Sequence, residues 1–206
     1  MKNATKHADE LKSLAKKLIK EHKPGDKEPQ ETLWALARGA MSYDVPDSRV
    51  NEAIKVIQRE FVDLNELRVA TELEVQDLLG QRYPQIEQRV KICTAAMNAI
   101  FEKEHTLDLA RLKTISRRDA RQFLRDLPEM TPFVEAYIML MALDGHAFPM
   151  DQQMLAYLNE EEILEEGTSL EDAQKFVEHH IKADECHNFY ACLRAAANKG
   201  KRKAKA

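Results

Sequence analysis

The sequence predicts an all-helical protein, and three observations support this fold class. The 206 residues include 6 glycines and 7 prolines, too few for a β-sandwich or barrel with many tight turns. No apolar alternation typical of a strand continues beyond about four residues, whereas apolar residues recur at helical spacing along most of the chain. Hydrophobic residues make up 44% and charged residues 32%, which is typical of a globular protein.

Apolar periodicity, capping residues and helix breakers define the elements of the first half. The first amphipathic helix covers residues 4–22, and the Pro- and Gly-containing linker 23–29 ends it. Residues 41–47 are predicted to be a loop, and Thr71 with Glu74 forms a capping box that begins a short helix. The other predicted helices of this half are 31–40, 48–61, 64–69 and 85–104.

The second half carries clearer start signals. Ser116 is placed to cap a helix that ends at Arg125. Thr131 and Pro132 suit the N-cap and first position of a helix over 133–143, whose residues are apolar nearly all round, so we expect it to be the buried central helix. Asp151 begins the next helix, over 151–158, and the last two predicted helices cover 169–181 and 185–197.

Several functional classes are excluded by composition. The six isolated glycines form neither a Walker loop nor a dinucleotide-binding fingerprint. No apolar run approaches the ~18 residues of a membrane span, and the N-terminus does not resemble a signal peptide. Three cysteines, Cys93, Cys186 and Cys192, indicate reduced intracellular thiols. We therefore expect a soluble cytoplasmic protein, nucleoid-associated if prokaryotic, with no membrane partner.

Charge is distributed unevenly along the chain. The net charge is −4, yet residues 199–206 hold five cations and no acid, so residues 1–198 carry −9. An acidic body does not coat nucleic acid by bulk charge. The basic tail, with Lys201, Arg202 and Lys203 at its centre, is either a set of weak phosphate contacts or a solvated, frayed end.

The segment from Ser116 to Leu158 predicts a helix, a tight turn, a buried helix, a loop and an Asp-capped helix. The most informative residues of this segment are Leu127-Pro128, the apolar run 136–140 and the run 148–154, which contains Asp151. In these residues the chain resembles the helix-hairpin-helix DNA glycosylases, in particular the endonuclease III type. Order and spacing from about Gln30 to Ala197 are compatible with that family.

The resemblance implies a two-lobed helical fold with a DNA cleft between the lobes. One lobe would be residues 30–146, ending in the helix-hairpin-helix. The other would combine the N-terminal helix and linker, 1–29, with residues 147–198, and the basic tail 199–206 would follow.

The resemblance also implies a site for double-stranded DNA carrying a damaged base. The hairpin would hold a phosphate through backbone N–H groups, and the target nucleotide would be flipped out of the stack. Asp151 would be the catalytic carboxylate that stabilises positive charge on the sugar. The implied DNA-contacting residues are Leu127, Pro128, Glu129, Met130 and Thr131 in the hairpin, Met41 and Ser42 at the gap-filling position, Gln152 and Gln153 beside Asp151, and Lys201, Arg202 and Lys203 in the tail.

The sequence departs from the family pattern at three places. Glu129 and Thr131 stand where the hairpin has glycines, which weakens the phosphate site. Phe133 stands where bifunctional members have a catalytic lysine, so no Schiff-base lyase activity is expected. No cysteine follows Cys192, so no iron–sulfur cluster is expected.

No metal or other cofactor is expected either. A local cluster of histidines and cysteines near the C-terminus lacks the spacing of a recognised zinc finger or knuckle. Its members are His179, His180, Cys186, His187 and Cys192.

Three functions remain open at this point. The first is a monofunctional glycosylase that uses Asp151. The second is a catalytically inactive module on the same fold that binds DNA or a protein. The third is an unrelated helical interaction protein, in which Asp151 is only a helix cap.

Overall fold

The computed structural model describes residues 4–80 and 82–203, and the regular elements in this part of the chain are all helical. This confirms the predicted fold class. None of the described helices combines the length and hydropathy needed to cross a bilayer. The α-helices are α1 (Ala4–His22), α2 (Thr32–Ser42), α3 (Asp47–Glu60), α4 (Leu64–Val69), α5 (Glu72–Leu79), α6 (Ile86–Glu104), α7 (Arg117–Arg125), α8 (Pro132–Ala142), α9 (Gln152–Glu160), α10 (Leu170–His180) and α11 (Ala183–Lys203), with a 3₁₀ helix at Ala110–Lys113.

The predicted helix starts are confirmed by side-chain caps. Thr71 and Glu74 form a complete capping box at α5. Ser116 accepts a hydrogen bond from the Asp119 N–H at the start of α7, and Thr131 accepts from Val134 N–H before Pro132 of α8. Each such cap satisfies an N–H group that has no partner inside the helix.

The predicted end of α2 is wrong by two residues. Met41 and Ser42, expected in a loop, belong to the last turn of the helix. The Ser42 hydroxyl donates to the carbonyl of Arg38 at 2.6 Å, four residues back, and the Met41 side chain is buried. The helix ends where Tyr43 takes a non-helical ψ of 121°, and the chain then turns at Asp44, where φ is +54°.

The last helix is also longer than predicted. The sequence places its end at residue 197, and the structure continues it to Lys203. The backbone of the basic tail is therefore helical as far as Lys203.

The chain divides into two compact units, of which one is residues 30–143. Its central element is α8, as predicted: nine of its residues are buried. Helix α2 packs on α8 and brings its backbone close to the partner at Gly39. A Cβ atom there would lie 3.1 Å from Cδ1 of Tyr137, a tight contact, so a larger residue would require the Tyr137 ring to move by a few tenths of an ångström.

A buried arginine organises the loops of this unit. From α6, the Arg89 guanidinium donates to three carbonyls: Ala40 at 2.8 Å, Tyr43 at 2.7 Å and Pro84 at 2.7 Å. The Tyr83 hydroxyl donates to the Met41 carbonyl at 2.9 Å. These bonds satisfy carbonyls that the end of α2 leaves without helical partners.

The second unit comprises Met1–Pro29 and Asp144–Ala206. Its core is formed by α1, α9, α10 and α11, against which the segment before α9 packs. Phe148 lies 5.4 Å from the Phe189 ring, and its N–H donates to Glu178 at 2.9 Å. These contacts fix the approach of the chain to Asp151.

The sequence places the second boundary between these units at residues 146 and 147, and the structure places it three residues earlier. Asp144 forms an ion pair with Lys27, and a ring nitrogen of His146 lies 2.9 Å from the carbonyl of Ile181. Both partners belong to the second unit, which accounts for the difference.

Replacing Arg89 with methionine is expected to lower the free energy of unfolding by about 3 kcal/mol or more. The buried carbonyl of Ala40 and the part-buried carbonyls of Tyr43 and Pro84 would lose their donor, and a buried polar group without a partner costs about 1–3 kcal/mol. Chemical denaturation followed by circular dichroism measures the change. Arg59→Met, on the exposed surface of α3, is the matched control and should change stability by less than about 0.5 kcal/mol. Equal effects of the two variants would contradict this role for Arg89.

Candidate functional site

Asp151 is a buried carboxylate at the start of α9. It has extended backbone angles, and its Oδ1 accepts a hydrogen bond from Met154 N–H at 2.9 Å, which confirms the predicted N-cap. The side chain is only 3% exposed. The helix N-terminus stabilises a negative charge, so the local structure favours a carboxylate here.

The second oxygen of Asp151 faces a buried arginine. Oδ2 lies 3.4 Å from Nη1 of Arg194 on α11, and the arginine side chain is also 3% exposed. The guanidinium of Arg194 also lies 5.9 Å from the centre of the Tyr190 ring. Asp151 is therefore both a helix cap and one half of a buried ion pair, and Arg194 is a contributor that the sequence reading did not identify.

The hairpin between α7 and α8 keeps a glycine-like backbone without glycine. Glu129 has φ +58°, the left-handed conformation that glycine adopts without strain. The Met130 N–H donates to the carbonyl of Leu127 at 3.3 Å and closes the turn. Leu127 is buried and Pro128 is exposed. The five candidate hairpin residues 127–131 are thus brought together in one turn.

The Glu129 carboxylate is held by α6. Lys91 forms an ion pair with it at 2.8 Å, and Gln88 donates to it at 3.4 Å. The hydrogen bond from Lys91, followed by that from Gln88, lowers the pKa of Glu129, and the same Lys91–Glu129 bond raises the pKa of Lys91. The negative charge that departs from the family pattern therefore has a cation beside it.

A second charged cluster joins the two helices of the hairpin. Glu135 on α8 is buried, and its two oxygens face Arg121 at 2.7 Å and Arg125 at 2.9 Å, both on α7. Breaking such a buried pair leaves an unmatched charge and is strongly destabilising. This cluster fixes α7 against α8 and therefore fixes the shape of the turn. The sequence reading missed it.

Phe133, at the position that resembles the family's catalytic lysine, packs against two other aromatic rings. Phe133 is buried, with its ring edge-to-face against Tyr43 at 5.3 Å and stacked on Tyr137 at 6.3 Å. The side chains of Met41 and Ser42 are buried in the same unit. Neither of these two side chains, predicted to fill the gap left by a flipped base, is exposed on the surface in this structure.

The other candidate residues lie at helix ends. Gln152 is exposed and Gln153 is half-buried, both in the first turn of α9 beside Asp151. Lys201, Arg202 and Lys203 belong to the last turn of α11, and their side chains lie outside the described residues. Asp151 and its neighbours belong to one unit, and the hairpin belongs to the other.

No group of three or more metal-binding side chains occurs among the residues that the structure describes. All three cysteines are free and buried. Burial raises the pKa of the Cys93 and Cys186 thiols to about 12 each, so both are protonated and unreactive at neutral pH. Among the described residues, the C-terminal histidines and cysteines do not come together as a group of metal ligands.

The same arrangement of helices occurs in solved structures of DNA glycosylases. Endonuclease III trapped in a covalent intermediate with DNA matches with a TM-score of 0.70 and 11% identity over 91% of this chain and 84% of that one. Clostridium acetobutylicum 8-oxoguanine glycosylase/lyase, in complex with double-stranded DNA, matches with a TM-score of 0.72 and 16% identity over 96% and 71%. A thermostable thymine-DNA glycosylase matches with a TM-score of 0.66 and 12% identity over 92% and 86%.

Neither a protein-family model nor a curated protein sequence matches the chain. At identities this low, the structural matches define a fold and not an activity. The chain has the helical fold of the helix-hairpin-helix DNA glycosylases, in a divergent form, and the resemblance stated from the sequence is confirmed at that level.

A double-mutant cycle should separate the two structural roles of Asp151. Arg194→Met is expected to destabilise the protein by about 3–5 kcal/mol, because it leaves the carboxylate buried without its counter-charge. Adding Asp151→Asn should recover part of this loss, since asparagine keeps the cap and carries no charge. Unfolding free energies of the wild type, both single variants and the double variant give the coupling energy.

The exposed pair Lys175–Glu171 on α10 provides the control cycle. Its coupling should be about 0.3–0.5 kcal/mol, as for other exposed helix pairs. A coupling for Asp151 and Arg194 no larger than this would contradict the description of a buried ion pair.

Proposed function

We propose that this protein is a monofunctional DNA glycosylase that acts on a nucleotide flipped out of double-stranded DNA. The observation that carries the proposal is the Asp151 carboxylate, buried and fixed in orientation in a chain with a glycosylase fold. An anion held in place before the reaction needs no reorganisation when positive charge develops on the sugar, which makes it an effective electrostatic catalyst.

The proposed reaction uses water as the nucleophile. As the bond between base and sugar breaks, Asp151 stabilises the sugar cation. Water adds its hydroxyl to the sugar carbon, and its proton leaves to the surroundings or to the departing base. The product is free base and an intact strand with an abasic site.

The absence of lyase chemistry is part of the proposal. Schiff-base formation needs an amine that attacks the sugar, and Phe133 offers none at the position that resembles the family lysine. Its ring is packed between Tyr43 and Tyr137.

DNA binding is proposed to use the hairpin despite its substitutions. Glu129 adopts the backbone conformation that the glycine would have, and Lys91 neutralises its charge. Lys91 is itself 52% exposed, so a DNA phosphate could compete with Glu129 for its ammonium group. A DNA substrate implies an intracellular location, in the cytoplasm and at the nucleoid if the protein is prokaryotic.

A second candidate function is a catalytically inactive DNA-binding module on the same fold. The observation that favours it is that both Asp151 oxygens already have partners, Met154 N–H and Arg194. A carboxylate that only caps α9 and balances Arg194 would occupy this buried position without catalysing a reaction.

Asp151→Asn is expected to reduce base excision by roughly 10²–10³-fold, because removing one preorganised charged group from a site has an effect of that size. The assay measures release of base from duplexes carrying a panel of damaged bases. Duplex affinity should remain within about threefold, since asparagine retains the helix cap.

Asp63→Asn is the matched control. Asp63 is likewise the N-cap of a helix, α4, and its side chain accepts from two backbone N–H groups on an exposed surface. This variant should excise bases at the wild-type rate. DNA binding by the wild type without excision of any base in the panel would overturn the enzyme and support the module.

Glu129→Gly is expected to increase affinity for duplex DNA, by at least severalfold at low salt. It removes a negative charge from the hairpin, leaves Lys91 free for phosphate and relieves the left-handed backbone strain. Fluorescence anisotropy with a labelled duplex measures the affinity.

Glu129→Gln separates charge from backbone in this experiment. It keeps a side chain in the left-handed conformation and removes only the charge, so it should give part of the increase. Unchanged affinity in both variants would show that the hairpin does not contact DNA.

A further inference from the structure

A second concentration of positive charge lies in the middle of the chain. Residues 109–125 contain six cations and one acid, whereas the whole chain has a net charge of −4. Four of the cations are the arginines of α7. A local excess of this size in an acidic protein requires the rest of the chain to carry the compensating negative charge.

The four arginines share one face of α7. Arg117, Arg121 and Arg125 are spaced by four residues, and Arg118 lies three and seven residues from the last two, so their directions fall within an arc of about 100°. The opposite face packs into the core through Ala120, Phe123 and Leu124. We call the set Arg117, Arg118, Arg121 and Arg125 the arginine stripe.

Two arginines of the stripe form ion pairs within the protein, and the other two are exposed to solvent. Arg121 and Arg125 face the buried Glu135 carboxylate, which holds their side chains in place and cancels one of the four charges. Arg117 and Arg118 are exposed, and neither has a hydrogen bond or ion pair within the part of the chain that the structure describes. The stripe therefore presents about three uncompensated positive charges on a fixed helix.

We propose that the arginine stripe binds the phosphate backbone of duplex DNA independently of base sequence. The inference rests on the proposed function, because it takes that substrate's backbone as the ligand. From Arg117 to Arg125 the helix rises about 12 Å. Phosphates of one DNA strand recur at about 3.4 Å along the helix axis, so three or four lie within this length.

The position of the stripe supports a role next to the hairpin. Helix α7 leads directly into the turn at 126–131, and Glu135 ties the stripe to α8 on the other side of that turn. A hairpin with Glu129 in place of glycine has a weaker phosphate site of its own. Guanidinium groups on the adjoining helix replace part of the lost attraction, since arginine binds phosphate in a bidentate manner.

The test is the salt dependence of binding to an undamaged duplex, measured by anisotropy on the full chain. The variant is Arg117→Gln with Arg118→Gln, since these two exposed side chains make no hydrogen bond or ion pair with the described residues. The plot of log affinity against log salt concentration should become less steep by about 2, one unit for each lost phosphate contact. Affinity at low salt should fall at least tenfold.

Two control variants remove positive charge from other parts of the chain. Lys16→Gln with Lys17→Gln removes two exposed cations from α1 and should leave the slope unchanged. A chain ending at residue 198 removes the basic tail and tests whether the tail supplies the contacts instead. Polyglutamate serves as a probe for an acidic protein partner.

The outcomes distinguish this inference from the proposed activity. A reduced slope in the α7 variant alone supports the stripe, whether or not the wild type excises a base. An unchanged slope in that variant overturns the stripe, even where excision by the wild type upholds the enzyme. No DNA binding by the wild type overturns it as well. Binding of polyglutamate as tightly as DNA also overturns it, in favour of an acidic protein partner.

Discussion

Charges inside the two units are matched by opposite charge or by backbone carbonyls, and this requirement specifies much of the structure. The buried charged residues in the described part of the chain are Arg89, Glu135, Asp151 and Arg194. Each joins elements that are distant in sequence or separated by a turn. An unmatched buried charge is strongly unfavourable, so packings that separate these partners are disfavoured. Apolar contacts stabilise the units, and the charged contacts fix how the helices within each unit are aligned with one another.

The features that the sequence predicted are local. Capping at Ser116, Thr131 and Asp151 depends on residues three positions apart, and the burial of α8 follows from its composition. The end of α2 was predicted two residues too early, because residues 41 and 42 were assigned to the loop 41–47. The carbonyls at this end are satisfied by Arg89 and Tyr83, more than 40 residues away, and no local pattern indicates such bonds.

Among the site residues, too, those with a sequence pattern were predicted, and those defined only by a distant partner were not. Asp151 and the hairpin were identified because a family resemblance supplied their spacing. Arg194 was missed because a lone arginine near the end of a helix resembles any solvated arginine until its carboxylate partner is known. The arginine stripe has a sequence signal, since Arg117, Arg121 and Arg125 are spaced by four residues on one helix, but the sequence alone does not show that Glu135 holds two of its members.

The packing of Phe133 limits how this chain could acquire new chemistry. Its ring lies against Tyr43 and Tyr137, so an ammonium group placed there by a single codon change would be surrounded by aromatic carbon. Burial would favour the neutral amine, which is the nucleophilic form, so the obstacle is the packing of the rings and not the protonation state. Strand cleavage from this background would therefore need space beside Tyr43 in addition to the new amine.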